Sequence, residues 1–91
     1  TNMLTGPTPF LKWSKGYVRE LYGYRCVRCG KPKSGIVHEI VPKSKRPFDW
    51  WALENRVVLC GECHEFIHQR GAMNFVDELR ECQARVLGLA S

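Results

Sequence analysis

No stretch of this 91-residue chain holds the roughly 18 consecutive apolar residues that a membrane-crossing helix needs, so a membrane span is not expected. The opening TNMLTGPTPF has neither a charged leading region nor a long apolar one, and does not read as a secretory signal. Low-complexity tracts are missing, and the one internal repetition is a doubled CxxC. Acidic residues are scarce in the first half. Between Lys12 and Arg46, Glu20 and Glu39 face ten Lys and Arg, whereas from Pro47 onward seven acidic residues face four basic ones. The formal net charge of +5 is therefore lopsided. A basic half suits a polyanion such as nucleic acid, and equally an ordinary solvated surface. Histidine is also rare, with three in the chain.

What is present is enough for one domain with a modest core, which a structural metal or disulfides would help to hold. Residues 1–11 read as a flexible lead-in punctuated by Pro and Gly, and 12–91 as the single folded domain. Trp13, Tyr17 and Leu21 fall at i, i+4, i+8 between Ser14 and Gly23, which predicts a short amphipathic helix with a glycine stop. Ile36–Val41 and Asn55–Leu59 predict strands, separated by a polar, basic loop over Lys43–Trp51. HEFIHQR after Cys63 predicts a helix that Gly71 ends. Phe75, Leu79, Cys82 and Val86 form the apolar stripe of a last helix, with Asn74 as N-cap and Gly88 just past its end. The order is helix, knuckle, strand, strand, helix, helix, an α+β domain.

Cys26-x-x-Cys29 and Cys60-x-x-Cys63 are the strongest signal. A CxxC turn lets two thiolates converge on one ion, and two such turns complete a tetrahedral shell for structural zinc. The thirty residues between the pairs contain both predicted strands. Disulfides or unrelated thiols are the alternatives; without a secretory signal, disulfides are the weaker of them. Cys82, on the last helix's stripe, reads as a buried core thiol. His64 follows the second knuckle directly and His68 lies four residues on, so on a helix they share one face about 6 Å apart. His38 comes from the first strand, in VHEIVP. Any one of the three alone would read as a surface or capping residue. Together, around a zinc framework, they suggest a second and open metal site.

VHEIVP, then Asn55 in ENRVVLC, then CGECHEFIH, resemble the HNH endonuclease family in its four-cysteine form. The match covers Cys26 to His68, about half of the chain; the flanking helices rest on pattern alone. The resemblance implies a small zinc-stapled ββα-metal fold, treble-clef-like, with flanking helices. It implies a metal-dependent DNA endonuclease that hydrolyses phosphodiester bonds and leaves 5′-phosphate and 3′-hydroxyl ends. It further implies double-stranded DNA as partner, a cytoplasmic setting in a bacterial or phage-infected cell, and a phage-packaging or restriction context. A protein partner would supply any sequence specificity.

Residue by residue, the family implies His38 as the strand's metal ligand and His64 as the metal ligand that opens the helix. His68 matches the additional ligand of colicin-type DNases. Asn55 matches the family's Asn, which hydrogen-bonds backbone and shapes the loop orienting the strand. The departure is Glu39, which stands where the family has its general-base histidine. Glu39 could be the base, or exchange roles with His38 and bind the ion. As a third reading, the chain is a slow or inactive zinc-stapled DNA-binding module. Three imidazoles suit Zn²⁺, Ni²⁺ or Mn²⁺ better than Mg²⁺ as the catalytic divalent ion, beside the structural Zn²⁺. Lys43, Lys45, Arg46, Arg56 and Arg70 are candidate phosphate contacts, with a solvated basic face as the alternative for each. Trp50 and Trp51 could stack on bases; one of them is expected in the core. A third class of function, a protein-interaction domain with a purely structural metal, would show an exposed apolar patch instead.

Overall fold

The computed structural model of the protein describes residues 14–88. Three helices surround a two-stranded antiparallel sheet, with α1 at Lys15–Leu21, β1 at Ile36–Glu39, β2 at Arg56–Leu59, α2 at Gly61–Arg70 and α3 at Val76–Leu87. Short 3-10 turns precede β2 at Leu53–Asn55 and α3 at Ala72–Phe75. The α+β class is as expected. The lead-in and Trp13 lie outside the described residues. Among the described residues, no helix is long and apolar enough to cross a membrane.

Helix α1 starts where Ser14 accepts the Tyr17 N–H on its Oγ at 3.0 Å, satisfying one of the orphan donors of the first turn. Its core face differs from the expected stripe. Val18 and Tyr22 are buried, while Leu21 is 40 % exposed. The contact face is rotated by one position because α1 packs against both strands through Val18 and Tyr22. Sequence spacing alone admits both registers.

The strands pair as Ile36↔Leu59, Val37↔Val58, His38↔Val57 and Glu39↔Arg56. All four residues of β2 are buried, and the strand contacts both α1 and α2. Each strand is shorter than expected, for one reason. After Glu39 the ladder continues through a side chain: Asn55 Oδ1 accepts the Val41 N–H at 2.9 Å, and Asn55 Nδ2 donates to Val41 O at 2.9 Å and Trp50 O at 3.0 Å. The Asn55 backbone carbonyl meanwhile accepts from Ile40 N–H at 2.8 Å. A fully buried amide thus closes the mouth of the β1–β2 loop.

Helix α2 begins inside the second CxxC, earlier than expected. Cys60 is its N-cap, with Sγ accepting the Cys63 N–H at 3.3 Å. Gly71 ends it at φ 92°, where an added Cβ would sit 2.9 Å from Asn74 Nδ2. Asn74 does not cap α3, as had been expected; its Nδ2 donates back to Arg70 O at 2.9 Å and closes the end of α2. Phe75 precedes α3 without a side-chain cap, and Asp77 and Glu78 in the first turn complement the helix dipole. Leu79, Cys82 and Gln83 form the buried face of α3, whereas Val86 is 51 % exposed. Gln83 takes the inward place for a polar reason: its Nε2 donates to Tyr22 Oη and to Glu54 O, each at 3.1 Å. Tyr22 Oη in turn donates to Arg56 O at 3.3 Å, which ties α1, β2 and α3 together.

Asn55→Ala removes three hydrogen bonds and leaves the half-buried Val41 and Trp50 carbonyls and the Val41 N–H short of a partner. A loss of about 3 kcal/mol is expected from urea unfolding, and Asn55→Asp, which keeps only the acceptor, should also destabilise. An Asn55→Ala protein as stable as wild type would show that the amide does not hold the loop.

Candidate metal centres

The knuckle at Cys26–Cys29 is shaped by backbone bonds from Cys26 N–H to Lys31 O (3.0 Å) and from Gly30 N–H to Cys26 O (2.8 Å). Val27 N–H then donates to Val58 O at 2.8 Å, docking the knuckle on β2. As β2 runs straight into Cys60, this brings both CxxC pairs together. The four Sγ atoms lie within 4.8 Å of one another, an arrangement suited to a structural metal such as zinc. Cys29 and Cys60 sulfurs are 3.7 Å apart. That is far beyond a disulfide bond. It matches the edge of about 3.8 Å in a tetrahedron of zinc–sulfur bonds of ~2.3 Å.

The thiols are tuned unequally. Burial pushes Cys26 up, but N–H groups of the knuckle backbone outweigh it and bring the thiol down to about 7. Cys63 is pushed up to about 12, by burial first and by the neighbouring thiols next, with Arg28 opposing. Four sulfurs this close cannot all ionise unless a cation joins them, so the donor set fits a divalent ion. Arg28 is a residue that sequence spacing did not single out. Its Nη1 lies 3.7 Å from Cys63 Sγ, its Nε donates to Glu78 Oε2 at 2.7 Å, and its guanidinium stacks 4.6 Å over Phe66. The one sequence hint was an arginine placed between the two knuckle cysteines.

A second group comprises His38, His64 and His68, whose candidate donor nitrogens also lie within 4.8 Å of one another. The reason is geometric. Cys63 and Ile67 turn α2 toward the core, which leaves the His64 and His68 face toward β1, with the two rings 4.3 Å apart. His38 points from β1 at the same place, 6.0 Å from His64 and 5.6 Å from His68 between ring centres. His38 is 6 % exposed, and its Nε2 is buried with no hydrogen-bond partner. Burial, reinforced by charge on His68 and His64, lowers His38 to about 4. Burial and His68 lower His64 as well. Both shifts favour the neutral imidazole of His38 and His64, with a lone pair available, and an orphaned buried nitrogen is what a coordinated ion would satisfy. The group could hold one ion.

The trio lines an open cavity of about 250 Å³ together with Val37, Glu39 and Pro42. Glu39 is at its rim but is not among the atoms close enough to share an ion with the imidazoles, so exchanged roles for His38 and Glu39 find no support. Across the ladder Glu39 faces Arg56, and the two charges attract. Arg56 is 3 % exposed, which corrects its expected place among the surface phosphate contacts. Arg46 binds Asp49 through Nε (2.9 Å) and Nη2 (2.5 Å) and reaches Glu54 at 3.5 Å, so its charge is already engaged. Lys43, Lys45 and Arg70 are exposed. Lys43 lies 5.3 Å over Trp50, and Arg70 stacks 3.8 Å over Phe66. Neither Trp50 nor Trp51 is in the core; both are half-buried in an edge-to-face pair 5.6 Å apart.

No family model, curated protein or solved structure matches this chain.

Native mass spectrometry after zinc loading is expected to show two bound ions. His64→Ala should retain one, and Cys63→Ser should lose the cysteine-held ion together with the cooperative unfolding transition. Two ions on His64→Ala would exclude the histidine trio as a metal centre.

Proposed function

We propose that the protein is a divalent-metal-dependent endonuclease of the HNH type, hydrolysing phosphodiester bonds on a ββα-metal plan. The convergence of three imidazoles on an open cavity, as a group separate from the four cysteines, carries this reading. A domain that needs metal only as a staple has no use for a second set of nitrogen donors reachable by solvent. His38, His64 and His68 would hold the ion without cancelling its charge. When bound, that ion supplies Lewis-acid stabilisation of charge on a phosphate oxygen and on the leaving oxygen.

Glu39, beside His38 on the cavity rim, is the group we assign to take a proton from the attacking water. Lys43 and Lys45 follow β1 through Pro42, a residue of the cavity wall, and are the cations we assign to phosphates near the scissile bond. Arg70 is the third such cation, its planar fork supported by Phe66. Asn55 works at one remove: it is buried, all its amide hydrogen bonds go to backbone, and it holds the loop rather than substrate. Double-stranded DNA is the substrate class that the HNH resemblance favours.

One observation favours a second reading, a metal-stapled DNA-binding module with weak or no cleavage. The attraction of Arg56 for Glu39 gives the carboxylate a competing partner. Nicking of supercoiled plasmid with Mg²⁺, Mn²⁺, Ni²⁺ and Zn²⁺ separates the two. Wild type is expected to relax the plasmid with at least one ion, His64→Ala with none, and Glu39→Gln at a rate lower by roughly 10²-fold or more. Binding without cleavage in any ion would leave the module; full activity of Glu39→Gln would remove the base but not the metal site.

A further inference from the structure

Phe48, in the loop between β1 and β2, is 87 % exposed, the most of any large apolar side chain among the described residues. Its backbone is tied on both sides. Arg46 and Asp49 form a two-bond ion pair across it. Lys45 N–H and Arg46 N–H donate to Pro42 O at 2.9 and 3.1 Å, Asp49 N–H to Arg46 O at 3.3 Å, and Ala52 N–H to Asp49 O at 3.0 Å. Pro47 restricts the chain directly before it. The phenyl ring is therefore presented outward by a braced turn, and its apolar surface is left in water.

What covers such a ring follows from its neighbours. Arg46 is paired with both Asp49 and Glu54, which leaves Lys43 and Lys45 as the loop's cations without an ion pair. Among the described residues neither lysine is ion-paired. The loop follows β1 through Pro42, a residue of the histidine cavity's wall, so the lysines begin one residue beyond that cavity along the chain. A protein surface would ask for an apolar patch, whereas Phe48 is a single ring set among charges. One flat exposed ring on the same short loop as two lysines without ion pairs matches a base step and the phosphates beside it.

Resting on the nuclease reading, we propose that Phe48 is a wedge that inserts between adjacent base pairs of the bound duplex, while Lys43 and Lys45 contact the flanking phosphates. Because every base offers a stacking face, this grips the duplex without reading base edges, and it favours steps that unstack easily, such as TA and CA.

The test uses the full chain without added catalytic metal and a DNA duplex carrying 2-aminopurine next to a TA step. Wild type is expected to raise 2-aminopurine fluorescence on binding. Phe48→Ala should bind roughly tenfold more weakly with no rise, and Phe48→Trp should restore both. Lys43→Ala/Lys45→Ala should lower the salt slope of binding by about two while keeping the fluorescence rise. The wedge is overturned if Phe48→Ala matches wild type in both readouts, as it would if a protein covered the ring. It is equally overturned if Phe48→Ala weakens binding but the fluorescence rise persists. Failure of wild type to bind duplex at all would remove the nuclease reading with it, whereas binding unaffected at Phe48 removes the wedge alone.

Discussion

The convergence of four sulfurs at one point sets the rest of the geometry. Cys60 caps α2 and Cys63 completes its first turn, so the cysteine cluster fixes not only where that helix starts but its rotation about its own axis. With 3.6 residues per turn, Cys63 and Ile67 facing inward commit His64 and His68 to the adjoining face. The strand that delivers Cys60 is also the one paired with β1, and the register sets His38 opposite Val57, three residues before the cluster begins. A cysteine cluster suited to a metal and a nitrogen-lined cavity are thus two results of one constraint.

Around that constraint, buried polar groups do the local positioning. The Asn55 amide continues the sheet where backbone pairing stops, and the Gln83–Tyr22 pair joins the outer helices to the carbonyls of Glu54 and Arg56. Arg28 joins the cysteine cluster to Glu78 in the first turn of α3 and stacks on Phe66 of α2. Each is a side chain whose partners lie far away in sequence, and each links a metal ligand or a strand end to a helix. In a chain of 91 residues with a small apolar core, such links supply rigidity that packing alone would not.

Some cations serve the fold, while others stay at its surface. Arg46 braces a loop, Arg56 is enclosed in the sheet and Arg28 serves the cluster, while Lys43, Lys45 and Arg70 remain on the surface. Two of the five candidate phosphate contacts are thus engaged within the fold, and the other three lie on the loop after β1 and at the end of α2. For a proposed nuclease this favours a grip built from a few phosphates and one aromatic ring over an extended basic surface.

Two CxxC pairs, the i, i+4 histidines after the second and the apolar periodicity of α3 were sufficient to place the cysteine group, to put His64 and His68 on one face, and to give the α+β order. These are short-range regularities, fixed by helical and turn geometry over a few residues. The sequence could not say which stripe of α1 turns inward, that Asn74 would close α2 instead of opening α3, or that Arg56 would be buried. Those outcomes depend on which surfaces meet across tens of residues, where a shift of one position costs little locally and is settled by burial and hydrogen bonding in the assembled fold.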